Sequence, residues 1–149
     1  MQHARPDFDA FFSGYVAAYN RSLGDRVDAD GIRAHFSDSF IAAGPDAVMT
    51  GDNDESFSET LEKGYAFYKS IGTKKMEFTG VEVTDIDETH YLARVSYRAE
   101  YEKDGEIIAI PFSVSYLLER RGERLKIFGF VAGDEMALYR QYGLAPEAD

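Results

Sequence analysis

The chain has 149 residues, 44% hydrophobic and 14% aromatic, a length that supports one well-buried core and is short for two. Its formal net charge of -11 repels phosphate backbones and anionic head groups, so neither nucleic acid nor a membrane surface is an expected partner. It has no cysteine, which excludes disulfides and thiolate metal sites, and no apolar run near the ~20 residues that span a bilayer. The start, MQHARPDFDAFF, lacks the basic and apolar regions of a signal peptide, and a cytoplasmic location is the default expectation.

Residues 1–6 form a polar lead-in expected to be a flexible tail. Asp7 caps a helix over Phe8 to Ser22, in which Phe8, Phe11, Phe12, Tyr15, Val16 and Tyr19 recur at spacings of three and four and so share one face. Asp28 or Asp30 opens a short second helix that carries Ile32, His35 and Phe36 inward and ends at Ser37-Asp38. SFIAAG and AVMTG read as brief strands joined at Pro45-Asp46, where proline pre-sets φ for a turn. Asp52, Asn53 and Asp54 crowd the start of the next helix, which runs to about Ser70 with Phe57, Leu61, Tyr65 and Tyr68 as its apolar stripe. KKMEFTGVEVTDI begins the first long strand.

In HYLARVSYRAEYEK, Tyr91, Ala93, Val95, Tyr97, Ala99 and Tyr101 alternate with Arg94, Ser96, Arg98 and Glu100, the period of a strand with one covered face. Asp104-Gly105 is a hairpin turn pair, EIIAIPFSVSYLLE returns, and LKIFGFVAG completes an antiparallel meander. Asp134 caps a last short helix that stops at Gly143. Helices followed by a long antiparallel sheet give an α+β domain over residues 1–149. The sheet curves around the N-terminal helices as a cone whose wide end stays hollow.

The order of elements, together with the segment YVAAYNRSLGDRVDADGIRAHFSDSFIAAGP, resembles the nuclear transport factor 2-like superfamily with its cystatin-like fold, which includes SnoaL-like proteins and ketosteroid isomerase. The segment is similar to the first two helices and first strand of ketosteroid isomerase, with Tyr15 at the position of the oxyanion-hole tyrosine. That enzyme uses an aspartate base, and a tyrosine and a protonated aspartate as its oxyanion hole. By the resemblance, the base position falls at Gly44 and the hydrogen-bonding aspartate near Val114, and neither side chain can move or donate a proton. Steroid isomerisation is not expected. Asp46, two residues beyond Gly44, belongs to the Pro-Asp turn.

Phe12, Tyr15, Tyr19, Phe40, Phe57, Tyr65, Tyr68, Phe112, Tyr116, Phe128 and Phe130 would all look into the cone, where aromatic walls with a few hydroxyls suit a small apolar or aromatic molecule. That gives one reading, a binding domain. A second is a SnoaL-like lyase, isomerase or cyclase that moves a proton on an apolar carbonyl compound, with His35 as base and Tyr15 or Tyr19 as donor to the oxyanion. Against it stands the simpler reading of these residues as core: tyrosines satisfied locally and His35 a satisfied polar group. His90 reads as a turn residue and His3 as part of the tail, and three such separated histidines carry no metal-ligand spacing, so neither metal nor cofactor is expected. Ala109, Pro111, Ser113, Ser115 and Leu117 fall on the outer face of the sheet, flat enough to pair with a second copy as a homodimer, as superfamily members commonly do.

Overall fold

The computed structural model describes residues 5–145. Its first helix, α1, spans Phe8–Ser22 and begins where the Asp7 carboxylate accepts the Ala10 amide at 2.9 Å. Phe8, Phe12, Val16 and Ala18 are buried along it. A short helix, α2 (Ala29–Arg33), is capped by Asp28, which accepts the Gly31 amide at 3.1 Å. It does not run on to Ser37-Asp38, which lie inside the strand β1 (Phe36–Ala43). Sheet pairing explains the earlier stop: the Ile127 amide donates to the His35 carbonyl at 2.8 Å, drawing the chain into the extended conformation.

A hairpin through Pro45-Asp46 leads to β2 (Val48–Asp52), and Asp54 then caps α3 (Glu55–Ser70) by accepting the Ser56 amide at 2.9 Å. Gly72 closes α3 at φ +89°, and a Cβ there would stand 2.3 Å from the Glu102 carbonyl oxygen, so both its dihedral and its contact require glycine. The long strands follow in succession: β3 (Thr73–Asp85), β4 (His90–Lys103), β5 (Glu106–Arg121) and β6 (Arg124–Ala132). Asp104 and Gly105 turn β4 into β5 with φ of 53° and 80°, the doubly positive turn that matches strand twist. Asp134 caps α4 (Glu135–Gln141).

The sheet is six-stranded in the order β2-β1-β6-β5-β4-β3. The meander β3 to β6 is antiparallel, and the N-terminal hairpin extends it through β1, which lies parallel to β6. Register shifts interrupt β3, β1 and the β5–β6 pairing; each extra residue bends its strand and deepens the twist, so the open sheet curves. The alternate residues Tyr91, Ala93, Val95, Tyr97, Ala99 and Tyr101 of β4 are all buried on the concave side, the first four in one core with Phe8, Phe12 and Val16 of α1. A smaller cluster of Ala99, Tyr101, Ile110 and Tyr139 docks α4 on the same face.

The expected tail falls partly outside the described residues, as His3 does wholly. Arg5, within them, is held: its guanidinium bonds Asp85 at 2.9 Å and lies 5.3 Å from the Phe8 ring. No described helix is long and apolar enough to cross a membrane.

Candidate functional site

A cavity of about 460 Å³ opens at the wide end of the curved sheet, between α1, α3, α4 and the β1–β2 hairpin. Its size falls in the range of small-molecule sites. Tyr15 and Tyr19 enter from α1, Phe36 and Phe40 from β1, Phe57, Tyr65 and Tyr68 from α3, and Phe112, Tyr116 and Phe130 from the sheet. The rings brace one another in edge-to-face and tilted pairs. Tyr19, Tyr65 and Tyr68 have centroids 5.2 to 5.7 Å apart, and Phe36, Phe40 and Phe57 form a second trio at 4.8 to 5.0 Å.

Two of the aromatic residues expected in this wall stand elsewhere. Phe12 is fully buried beneath the cavity, 5.1 Å from Phe11 and 5.0 Å from Tyr116, and belongs to the solid core. Phe128 is the extra residue of the β5–β6 register shift: Leu117 faces Gly129 and Leu118 faces Ile127, leaving Phe128 between them. The bulge breaks the alternation that would have pointed it inward. Its ring lies 5.9 Å from His90, whose strand position is on the outer face.

His35 does not line the cavity. Its ring packs 5.0 Å from Phe11 and 5.7 Å from Tyr15, on the α2 side of α1. The Nδ1–H donates to the Gly31 carbonyl at 2.8 Å, and Nε2 faces Gly14, where an added Cβ would sit 3.3 Å away. Burial pushes the imidazole pKa down, so it sits neutral as a packed, singly bonded ring. The position is set by the early end of α2, which turns His35 sideways before β1 begins.

The tyrosines differ in how their hydroxyls are satisfied. Tyr97 and Tyr116 bond each other at 2.7 Å. Those of Tyr15, Tyr19 and Tyr68 have no hydrogen bond within the described residues, and none is sealed away from the cavity. Burial, with a contribution from the charge of Glu135, pushes the Tyr15 phenol up to about 12, and burial raises Tyr19 and Tyr68 as well. All three therefore present neutral hydroxyls able to donate.

Against this wall stands a carboxylate that periodicity did not single out. Glu135 opens α4 and projects into the cavity; among the described residues it and Asp52 at the rim make up the charged lining, and no Lys, Arg or His lines it. Burial raises the Glu135 pKa, and its carboxylate has no hydrogen-bond or ion-pair partner among the described residues. A signal was present in the sequence. Because Asp134 supplies the cap, Glu135 is the first helical residue, four before Tyr139, and shares the inner face that Tyr139 and Leu138 bury.

Of the positions matched to ketosteroid isomerase, Tyr15 and Val114 line the cavity, while Gly44 sits in the β1–β2 turn outside it. Among the described residues no group of three His, Asp or Glu side chains is placed to hold a metal ion.

Comparison with known structures returns the same architecture. An NTF-2 like protein of unknown function from Shewanella oneidensis MR-1 superposes with a TM-score of 0.63 at 17% identity, over 85% of this chain and 95% of that one. An NTF2-like protein with a cystatin-like fold from Novosphingobium aromaticivorans gives 0.65 at 11% identity, over 93% and 86%. A ketosteroid isomerase-like protein from Erwinia carotovora atroseptica gives 0.58 at 15% identity, over 84% and 91%. At such identities the likeness is one of fold. No curated protein matches the chain. Residues 6–135 match the family described as NTF2-like protein (DUF6841), and the chain belongs to that family.

Proposed function

We propose that the chain is a binding domain for a small apolar or aromatic molecule held in the cavity at the wide end of the sheet. The observation that carries this is the cavity itself, about 460 Å³, walled by aromatic rings with several unpartnered hydroxyls. Apolar walls supply the affinity, and the hydroxyls of Tyr15, Tyr19 and Tyr68 fix orientation. A lyase, isomerase or cyclase reading required His35 to face the same cavity as a tyrosine hydroxyl, and the position of its ring lends that reading no support. The test is a thermal-shift titration with 1-naphthylmethanol, a neutral aromatic alcohol. Saturable stabilisation of about 1.4 kcal/mol at ten times Kd is the expected result. No saturable shift up to the solubility limit, in an otherwise folded protein, removes the reading.

The outer face of the sheet supports a homodimer, which we also propose. Register places Leu92, Leu117, Gly129 and Ile41 in one row across four strands, with Arg94, Ser115, Val131 and Ala43 in the next. Ile41, Leu92 and Val131 are 43%, 39% and 56% exposed. A second copy about a two-fold axis would cover this patch, and ordinary salt screens the repulsion between two chains of -11 beyond ~10 Å. Light scattering should give twice 16.7 kDa, and the Ser113→Glu/Ser115→Glu double variant half that; a wild-type monomer at micromolar concentration defeats the proposal.

A further inference from the structure

The Glu135 carboxylate is not explained by a cavity for purely apolar molecules. An ionised carboxylate taken from water is costly unless a cation or several donors meet it, and no side chain among the described residues does so. Burial could be tolerated by protonation, and the direction of its pKa is consistent with that in the free protein. Its surroundings nevertheless favour one sign of charge in a ligand. Tyr15, Tyr68, Tyr101, Tyr116 and Tyr139 come close enough for its charge to raise their phenols, from α1, α3, β4, β5 and α4 respectively. Aromatic ring faces attract cations, Asp52 is the other charged residue in the lining, and the whole chain is at -11. Among the described residues no cation in the wall competes for the carboxylate, and none is there to receive an anionic ligand.

We infer that the ligand is an amphipathic amine: an aromatic or apolar body in the tyrosine and phenylalanine wall, and a protonated nitrogen against Glu135. The assignment rests on the cavity being a small-molecule site and adds the ligand's charge and orientation. The ammonium group would convert a desolvated carboxylate into a charge-assisted pair, a gain unavailable to a neutral molecule of the same shape. An aromatic carboxylic acid of that shape would meet like charge and be excluded.

Three probes with one ring system separate the possibilities: 1-naphthylmethylamine, 1-naphthylmethanol and 1-naphthoic acid, titrated into the full chain by calorimetry at pH 7.5. The amine should bind about tenfold tighter than the alcohol, with no measurable binding of the acid. Glu135→Gln should bring the amine down to the affinity that the alcohol has for the same variant, and saturable alcohol binding by that variant shows that its cavity is intact. Asp46→Asn, removing an equal charge from an exposed turn outside the cavity, should leave the preference as it is in the wild type. If the alcohol binds and the amine does no better, or if the amine's advantage survives Glu135→Gln or falls equally in Asp46→Asn, the charge assignment is overturned and the cavity reading stands. If none of the probes binds, both fall.

Discussion

The concave face of the sheet has two halves that use similar residues to opposite ends. Under the first turns of α1, Phe8, Phe12, Val95, Leu118 and Ile127 are buried together, and Tyr91, 5.1 Å from Phe8, donates its hydroxyl to the Glu88 carbonyl at 3.1 Å. One or two helical turns further on, Tyr15 and Tyr19 carry the same stripe out over empty space. Aromatic area alone does not distinguish core from binding wall. What marks the hollow half is that, beside the paired hydroxyls of Tyr97 and Tyr116, those of Tyr15, Tyr19 and Tyr68 have no partner among the described residues, and a buried phenol without one is retained only where something else meets it. The helix that covers each half differs in the same sense: α1 buries much of one face, whereas α3, over the cavity, has Tyr65 as its one buried residue.

The largest contrast is expected in stability. Phe12 is fully buried in the packed half, and Phe12→Ala should cost about 3–5 kcal/mol through lost transfer free energy and the cavity left behind. Tyr19→Phe, in the hollow half, removes a hydroxyl without an internal partner and should change stability by less than about 0.5 kcal/mol. Urea unfolding of both variants tests the pair, and a Tyr19→Phe loss approaching that of Phe12→Ala would mean that the wide end is packed as tightly as the narrow one.

Gly64 gives a smaller effect with opposite signs for stability and binding. It lies within α3, lines the cavity, and an added Cβ there meets nothing within 4 Å. Gly64→Leu should therefore gain about 0.5–1 kcal/mol of helix propensity and simultaneously occupy ligand space, weakening 1-naphthylmethanol binding about tenfold or more. Denaturation and calorimetry on the one variant read both. A destabilised Gly64→Leu would show that α3 sits closer to the sheet than the described geometry allows.

Much of the fold was legible before any coordinates because its signals are local. Asp7, Asp54 and Asp134 satisfy amides at helix starts, and β4 alternates without a break from Tyr91 to Tyr101. The site was less so, because its deciding features are tertiary. The bulge that turns Phe128 outward is created by pairing between β5 and β6, which no spacing within LKIFGFVAG announces. The end of α2, and hence the direction of His35, is set by a hydrogen bond from Ile127, ninety-two positions along the chain (127 − 35). The parallel contact of β1 with β6 that makes the sheet six-stranded is likewise long-range. Glu135 was hidden for a different reason: an acidic residue in a helix first turn has an adequate local explanation, which the neighbouring cap makes unnecessary.

The smallest expected effect concerns that same carboxylate and follows from proton linkage. Burial raises the Glu135 pKa above its ordinary 4.5, so the folded chain holds this proton more tightly than the unfolded chain does. Below the unfolded value both states are protonated, and the folded state's preference contributes fully. As pH rises through the folded pKa that contribution is lost, and above it the free protein carries a partly buried charge with no partner among the described residues. The groups whose phenols face Glu135, Tyr15, Tyr68, Tyr101, Tyr116 and Tyr139, are all raised by burial and do not ionise in this window. Glu135→Gln should accordingly be more stable than the wild type at pH 7 to 8, with the difference shrinking as pH falls and vanishing below the unfolded value. Paired melting curves across that range measure it. A variant less stable than the wild type at pH 7 would show that Glu135 already has a favourable partner in the free protein, and the hollow half would then be satisfied from within, as the packed half is.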